Sequence, residues 1–102
     1  MARPKSPPMI IITRAVYVLD LTPNEKFVLS NIGNVITSGG IYQFDNEWIT
    51  TFTKVSKRQV STIIRTLVTK GFISIELIYR EGTKEVLKRV LKLTARGMEV
   101  CN

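Results

Sequence analysis

Basic and hydroxyl side chains recur at helical spacing between positions 57 and 69 of this 102-residue chain. The set consists of Lys57, Arg58, Ser61, Thr62, Arg65 and Thr69. Lysine and arginine donate hydrogen bonds to guanine edges and phosphates, whereas serine and threonine suit phosphates and either kind of base. The spacing places these side chains on one face of a helix, and none of them is acidic. A basic helix face is by itself usually a solvated surface, but the net charge of +7 on so small a chain indicates an anionic partner, with nucleic acid first and a membrane surface second.

The helix that carries this set has clear start and stop signals. Ser56 and Gln59 form a capping box, in which each side chain bonds the backbone N–H of the other residue. Apolar residues then follow at the i, i+3, i+4, i+7 and i+8 positions of an amphipathic helix. They are Val60, Ile63, Ile64, Leu67 and Val68. The helix is predicted to run to about Lys70, and Gly71 is suited to end it.

Two further helices are predicted before this one. Thr22 and Glu25 form a capping box around Pro23, and apolar residues at helical spacing continue as far as a pair of glycines at 39–40. Asp45 is the cap signal for a second, short helix that starts at Asn46 and ends near Phe52. The core side of that short helix is predicted to carry Trp48, Ile49 and Phe52. We interpret these three side chains as core rather than as a platform for stacked bases.

The apolar period changes from helical to two after Gly71. The alternating apolar positions are Ile73, Ile75, Leu77 and Tyr79. This alternation predicts a half-buried strand, followed by a turn at residues 81–83 and a second strand over Val86–Leu93. Tyr79 is expected to pack rather than to recognise a ligand, as is Tyr42 in the short extended piece before Asp45.

Three helices followed by a hairpin predict an α+β fold of the winged helix-turn-helix kind, with a short N-terminal extended segment. Residues 10–94 form the predicted domain, and the β-branched stretch 10–19 is expected to be extended. Residues 1–9 form a predicted flexible basic arm, because its prolines block helix and sheet pairing. Residues 95–102 are a tail or a short helix. In this arrangement the third helix fits the major groove, and the wing lies against a neighbouring groove or the backbone.

Site residues follow from that geometry. Base contacts are predicted at Lys57, Arg58, Ser61, Thr62 and Arg65. DNA-backbone contacts are predicted at Lys54, Ser56, Thr69, Arg80, Thr83 and Lys84. Arg3 and Lys5 in the arm could reach a minor groove, and a disordered tail is the other interpretation of that segment.

The distribution of charge agrees with this placement. The net charge of the chain is +7, and residues 51–102 alone carry a net charge of +7, whereas residues 21–50 carry −2. A charge that served only solubility would have no reason to segregate in this way.

Four fragments of the chain resemble the N-terminal winged-helix domain of phage and plasmid replication initiators. They are residues 21–26, 55–60, 70–73 and 79–85, and the resemblance spans about residues 12–93. It implies double-stranded DNA as the partner. Residues 93–97, Leu-Thr-Ala-Arg-Gly, are similar to the segment that closes the wing in MarR-like regulators, which implies a short helix or strap from Ala95. Lys54 departs from the pattern, because many such motifs have glycine in that turn. A positive φ there costs a non-glycine residue about 1 kcal/mol.

Composition excludes several classes of function. The chain has no histidine and a single cysteine, Cys101, so it lacks the commonest general base and metal ligand and cannot form a multi-thiolate zinc site. Asp45 and Glu47 are explained as first-turn charges of the second helix. An enzyme, a cofactor, a metal and a small-molecule ligand are therefore not expected. The apolar run at residues 9–19 is too short to cross a bilayer, which predicts an intracellular location, nucleoid-associated or in host cytoplasm if viral, without a membrane partner.

Sequence-specific DNA binding, in transcriptional regulation or replication initiation of a phage, virus or plasmid, is the function that these features favour. The alternative is a winged-helix protein-interaction module without DNA binding, with an interface on the exposed strand. That interface would contain Ile78, Val86 and Val90. A homodimer is also open, through residues 10–19 or 98–100, and it could bring two Cys101 residues together.

Overall fold

The computed structural model describes residues 10–102. Within that range the chain is α+β, with five helices and one two-stranded antiparallel sheet. The elements are α1 (Arg14–Tyr17), α2 (Pro23–Thr37), α3 (Asn46–Thr53), α4 (Lys57–Thr69), β1 (Ile73–Tyr79), β2 (Val86–Leu93) and α5 (Ala95–Cys101). The predicted helices are confirmed as α2, α3 and α4, and the predicted hairpin is confirmed as β1 and β2.

The stretch 10–19 is not extended throughout, which corrects the prediction. Thr13 caps α1 by accepting a hydrogen bond from the Val16 N–H at 3.2 Å, and Val16 is buried. The Thr13 hydroxyl also donates to the Val100 carbonyl at 2.6 Å, which ties α1 to α5. A cap and tertiary packing therefore override the β-branched propensity of this segment.

Caps predicted from the sequence set the starts of the three long helices. In the box before α2, the Glu25 N–H donates to the Thr22 hydroxyl at 3.2 Å, and the Thr22 N–H donates to the Glu25 carboxylate at 2.9 Å. Asp45 accepts a hydrogen bond from a backbone N–H of α3 at 2.9 Å. Ser56 and Gln59 form the second complete box, before α4. These contacts satisfy N–H groups that a helix start otherwise leaves without partners.

The hairpin is attached to the helices at its base. Ile73 of β1 pairs with Leu93 of β2 at this base, and the hairpin extends from that pair away from the helices. The extended piece at residues 41–44 adds one bridge on the other edge of β2, where the Leu91 N–H donates to the Tyr42 carbonyl at 2.8 Å. This bridge holds the segment before α3 against the second strand of the hairpin.

The core lies between α2, α3, α4 and the base of the hairpin. Trp48 and Ile49 are buried and Phe52 packs against them, as expected. The Trp48 ring stacks on Phe44 with centroids 4.3 Å apart. Tyr42 is fully buried, which confirms its packing role, and its hydroxyl donates to the Asn31 side-chain oxygen. Burial raises the pKa of Tyr42 well above its usual value.

The expected short helix after Ala95 is present as α5. Thr94 caps it, donates its hydroxyl to the Gly71 carbonyl at 2.5 Å, and so joins the end of β2 to the end of α4. A Cβ on Gly97 would overlap the Phe72 carbonyl oxygen, so glycine is required for this close approach.

Cys101 at the end of α5 packs against α2. A Cβ on Gly33 would lie 2.6 Å from the Cys101 sulfur, so the two helices approach closely there. Cys101 is only 7% exposed, and burial raises the pKa of its thiol to about 11. The thiol is enclosed by its own chain, which contradicts the idea that a dimer brings two Cys101 residues together.

Candidate functional site

The polar face of α4 is fully presented to solvent. The predicted set is exposed at every position, namely Lys57, Arg58, Ser61, Thr62, Arg65 and Thr69. The opposite face is buried at Val60, Ile63, Ile64 and Leu67. Val68, predicted on the apolar face, is 36% exposed instead, because it lies at the border between the two faces.

Several cations on and around α4 have no partner among the residues that the structure describes. The side chains of Arg58 and Arg65 make no hydrogen bond or ion pair within residues 10–102, and the same holds for Lys54 and Lys84. Lys57 lies 3.9 Å from the Glu47 carboxylate, and both side chains are exposed. An exposed ion pair of this kind contributes little to stability. Lys57 can therefore leave Glu47 and bind another anion at little cost in free energy.

The turn before α4 has the backbone that the sequence predicts. Lys54 adopts a left-handed conformation with φ of 62°, the one positive φ of a non-glycine residue in the described chain. The Ser56 hydroxyl accepts a hydrogen bond from the Gln59 N–H at 3.2 Å, so its oxygen already serves as the helix cap. Of Lys54 and Ser56, Lys54 is therefore the more available for contact with a ligand.

At the tip of the hairpin, two of the predicted DNA-contacting residues make contacts within the hairpin itself. Arg80 lies 3.6 Å from Glu85, and the Thr83 hydroxyl donates to the Arg80 carbonyl at 3.0 Å. Gly82 supplies the positive φ, 73°, that the turn requires. Of the predicted tip contacts, Lys84 is the one whose side chain has no partner within residues 10–102.

A groove of about 270 Å³ separates α4 from the hairpin. Its lining residues are Ser61, Ile64, Arg65, Val68, Ile75 and Arg89. A second groove, of about 740 Å³, lies between residues 43–47, residues 87–89 and Lys57. The structure thus brings Lys57, Ser61 and Arg65 alongside the hairpin, whereas the tip residues border neither groove.

The sequence did not predict two residues of this surface, Arg89 and Asn46. Arg89 of β2 donates to the Asn46 side-chain oxygen at 2.7 Å and to the Phe44 carbonyl at 3.0 Å. Asn46, the first residue of α3, donates through its amide nitrogen to the Ser61 hydroxyl at 2.8 Å. One chain of hydrogen bonds therefore connects the hairpin, α3 and α4.

A signal for Arg89 was present in the sequence. In the alternation of β2 it occupies the same side as Leu91 and Leu93, which face the core. An arginine in such a position needs a partner. Burial lowers the pKa of Arg89, whereas Tyr42 and Asp45 act in the opposite direction, and the guanidinium stays charged at neutral pH.

The outer part of the hairpin carries an apolar face that residues 10–102 cover only in part. Ile75, Leu77 and Tyr79 share one side of β1 and are 44%, 43% and 50% exposed. The predictions of a half-buried strand and of a packed Tyr79 are therefore wrong beyond Ile73, because the hairpin extends past the core. Val90, expected on an exposed interface, is buried.

Arg3 and Lys5 lie outside the described residues. Within residues 10–102, no three His, Cys, Asp or Glu side chains lie close enough together to hold a metal ion. No helix in that range combines the length and apolarity needed to cross a membrane. Comparison with protein-family models, curated proteins and solved structures finds no match to this chain.

Proposed function

We propose that this chain is a winged helix-turn-helix protein that binds double-stranded DNA sequence-specifically. In this proposal α2, α3 and α4 are the three helices of the motif, α4 enters the major groove, and the hairpin lies against the neighbouring groove or backbone. The protein would act in the cytoplasm as a transcriptional regulator or replication-initiation module of a phage, virus or plasmid. Support for the motif comes from the order of the elements and from the short turn, with Lys54 in its left-handed conformation, between α3 and α4.

The observation that carries the proposal is the cationic face of α4. Arg58 and Arg65 are exposed and have no partner within residues 10–102, and α4 contains no acidic residue. A solvated helix surface usually mixes both signs of charge. A helix of 13 residues is about 20 Å long, and the major groove is wide enough to admit it.

A salt titration of binding to duplex DNA tests the proposal. The four cations without a partner in the described part of the chain, if each neutralises one phosphate, predict a slope of log K against log salt of about −3.6. Affinity would then fall about 150-fold between 50 and 200 mM salt. Arg58→Ala and Arg65→Ala should weaken binding and flatten the slope by about 0.9 for each phosphate contact that is lost. If either side chain reads a base, its variant should instead relax the preference at that base.

Lys92→Ala is the matched control. This variant also removes one positive charge. Lys92, however, lies on the face of the hairpin opposite to that of Arg89, and its ammonium is 2.6 Å from the Glu76 carboxylate. The proposal predicts near-normal affinity for this variant. A flat salt slope would show that no phosphate contacts form on binding and would overturn the proposal. Equal losses for Lys92→Ala and Arg58→Ala would show that overall charge rather than the face of α4 attracts DNA.

A second candidate function is supported by the apolar face of the hairpin. Ile75, Leu77 and Tyr79 form a continuous exposed set, which suits a protein interface. This alternative predicts binding to a protein that is insensitive to salt and to Arg58→Ala but is abolished by Leu77→Glu. DNA binding by Leu77→Glu with wild-type affinity would separate the two functions.

A further inference from the structure

The hydrogen bonds that connect Arg89, Asn46 and Ser61 have a fixed direction. A guanidinium only donates hydrogen bonds, so the Asn46 atom that faces Arg89 at 2.7 Å must be the amide oxygen. The amide nitrogen consequently faces Ser61, at 2.8 Å, and donates to its hydroxyl oxygen. Arg89 is itself held by the Phe44 carbonyl at 3.0 Å, so the amide cannot reverse without loss of a charge-assisted hydrogen bond.

This direction determines what Ser61 offers to solvent. Its oxygen accepts from Asn46, so its proton must point elsewhere, and within residues 10–102 that proton has no acceptor. The neighbouring hydroxyl behaves in the opposite way, because Thr62 donates its proton to the Arg58 carbonyl at 3.1 Å. The exposed face of α4 therefore presents a free proton and one lone pair at Ser61, and lone pairs alone at Thr62.

We propose that Arg89, acting through Asn46, keeps the Ser61 proton free, and that Ser61 donates this proton to the base that faces it, so that cytosine is disfavoured there. This inference rests on the proposed binding of DNA through α4. In the major groove, guanine, adenine and thymine each offer an acceptor, whereas cytosine offers a donor amino group. Arg89 and Asn46 are positioning residues in this scheme, and Ser61 makes the contact.

Selection of bound fragments from randomised duplex DNA tests the inference. Ser61→Ala identifies the base position concerned, because the preference there should fall by about five- to tenfold while the other positions keep theirs. The wild-type chain should disfavour cytosine at that position. Asn46→Asp should reverse the preference, because a carboxylate accepts from both Arg89 and Ser61 and turns the serine lone pairs outward. Cytosine should then become a favoured base.

Gln43→Glu is the matched control for the added negative charge. Gln43 lines the same groove as Asn46 and accepts from the Lys88 ammonium at 3.2 Å, so a glutamate there keeps that contact and leaves Ser61 untouched. It should lower affinity equally for all sequences and leave the base preferences unchanged.

Three results would overturn the inference. One is selection of cytosine by the wild-type chain at the position that Ser61→Ala relaxes, and another is continued rejection of cytosine by Asn46→Asp. The third is a Ser61→Ala variant with unaltered preferences at every position. Failure of the wild-type chain to bind any duplex would overturn the proposed function itself, and the inference with it.

Discussion

The buried hydrogen bond between Tyr42 and Asn31 makes a sharp prediction about stability. Tyr42→Phe keeps the ring and its edge contact with Phe44, whose centroid is 5.2 Å away, and removes only the hydroxyl. Asn31 is 1% exposed, so water cannot replace the lost donor at its side-chain oxygen. Leaving a buried acceptor without a partner costs about 1–3 kcal/mol.

Thermal unfolding followed by circular dichroism measures this cost. An unfolding entropy of about 2.1 cal/mol/K per residue gives roughly 0.2 kcal/mol per degree for a chain of this length, so Tm should fall by about 5–15 °C. Tyr79→Phe is the control, because Tyr79 is half exposed and its hydroxyl makes no hydrogen bond within residues 10–102; its Tm should hardly change. Equal Tm shifts for the two variants, or a loss below about 0.5 kcal/mol at Tyr42, would refute the reasoning.

The stability difference between wild type and Tyr42→Phe should also depend on pH. Burial raises the pKa of Tyr42 above its ordinary value of 10.0, so the folded state holds the neutral phenol. The stabilisation by Tyr42 is complete below about pH 10 and is lost as the pH rises, because the unfolded chain ionises first. The stability difference between wild type and Tyr42→Phe should therefore narrow above about pH 10. A constant difference across that range would contradict the buried environment of the phenol.

Three further predictions concern other parts of the chain. Gly97→Ala should destabilise the fold by about 1–3 kcal/mol in chemical denaturation, because its methyl group would overlap the Phe72 carbonyl; an unchanged midpoint would be inconsistent with the close approach of α5. Cys101 should react slowly with a thiol reagent at about pH 8 in the native protein and rapidly in denaturant, because burial raises its pKa to about 11; fast reaction in native buffer would show an open thiol. Lys54→Gly should leave stability unchanged or raise it by up to about 1 kcal/mol while DNA affinity falls, which equilibrium unfolding and a binding titration measure separately; a large loss of stability would contradict the left-handed turn.

Features with local causes were predictable from the sequence. The boxes at Thr22–Glu25 and Ser56–Gln59 depend on residues three apart, and both are present. The limits of β2 and the positive φ of Lys54 were also predicted, because alternation and a tight turn are local patterns. The apolar face of α4 follows from its spacing alone.

Features that depend on distant residues were not predictable in the same way. Arg89 and Asn46 are 43 positions apart, so no local pattern connects them. The helix in residues 10–19 depends on Val16 reaching the core and on Thr13 reaching α5. Alternation in β1 indicates which side chains share a face, but not whether anything covers that face. For this reason Ile75 and the residues beyond it were misjudged.

The outer edge of β1 has a consequence for how the protein must be handled. Within residues 10–102 no strand pairs with that edge, and its exposed apolar side chains make it a template for a second copy. At low ionic strength the net charge of +7 keeps copies apart, but salt shortens the range of that repulsion to about 10 Å at 0.1 M. Raising the salt would therefore have two effects, since it would weaken the proposed attraction to DNA and would also permit molecules to associate. Titrations should accordingly be run on dilute protein, with light scattering recorded at every salt concentration.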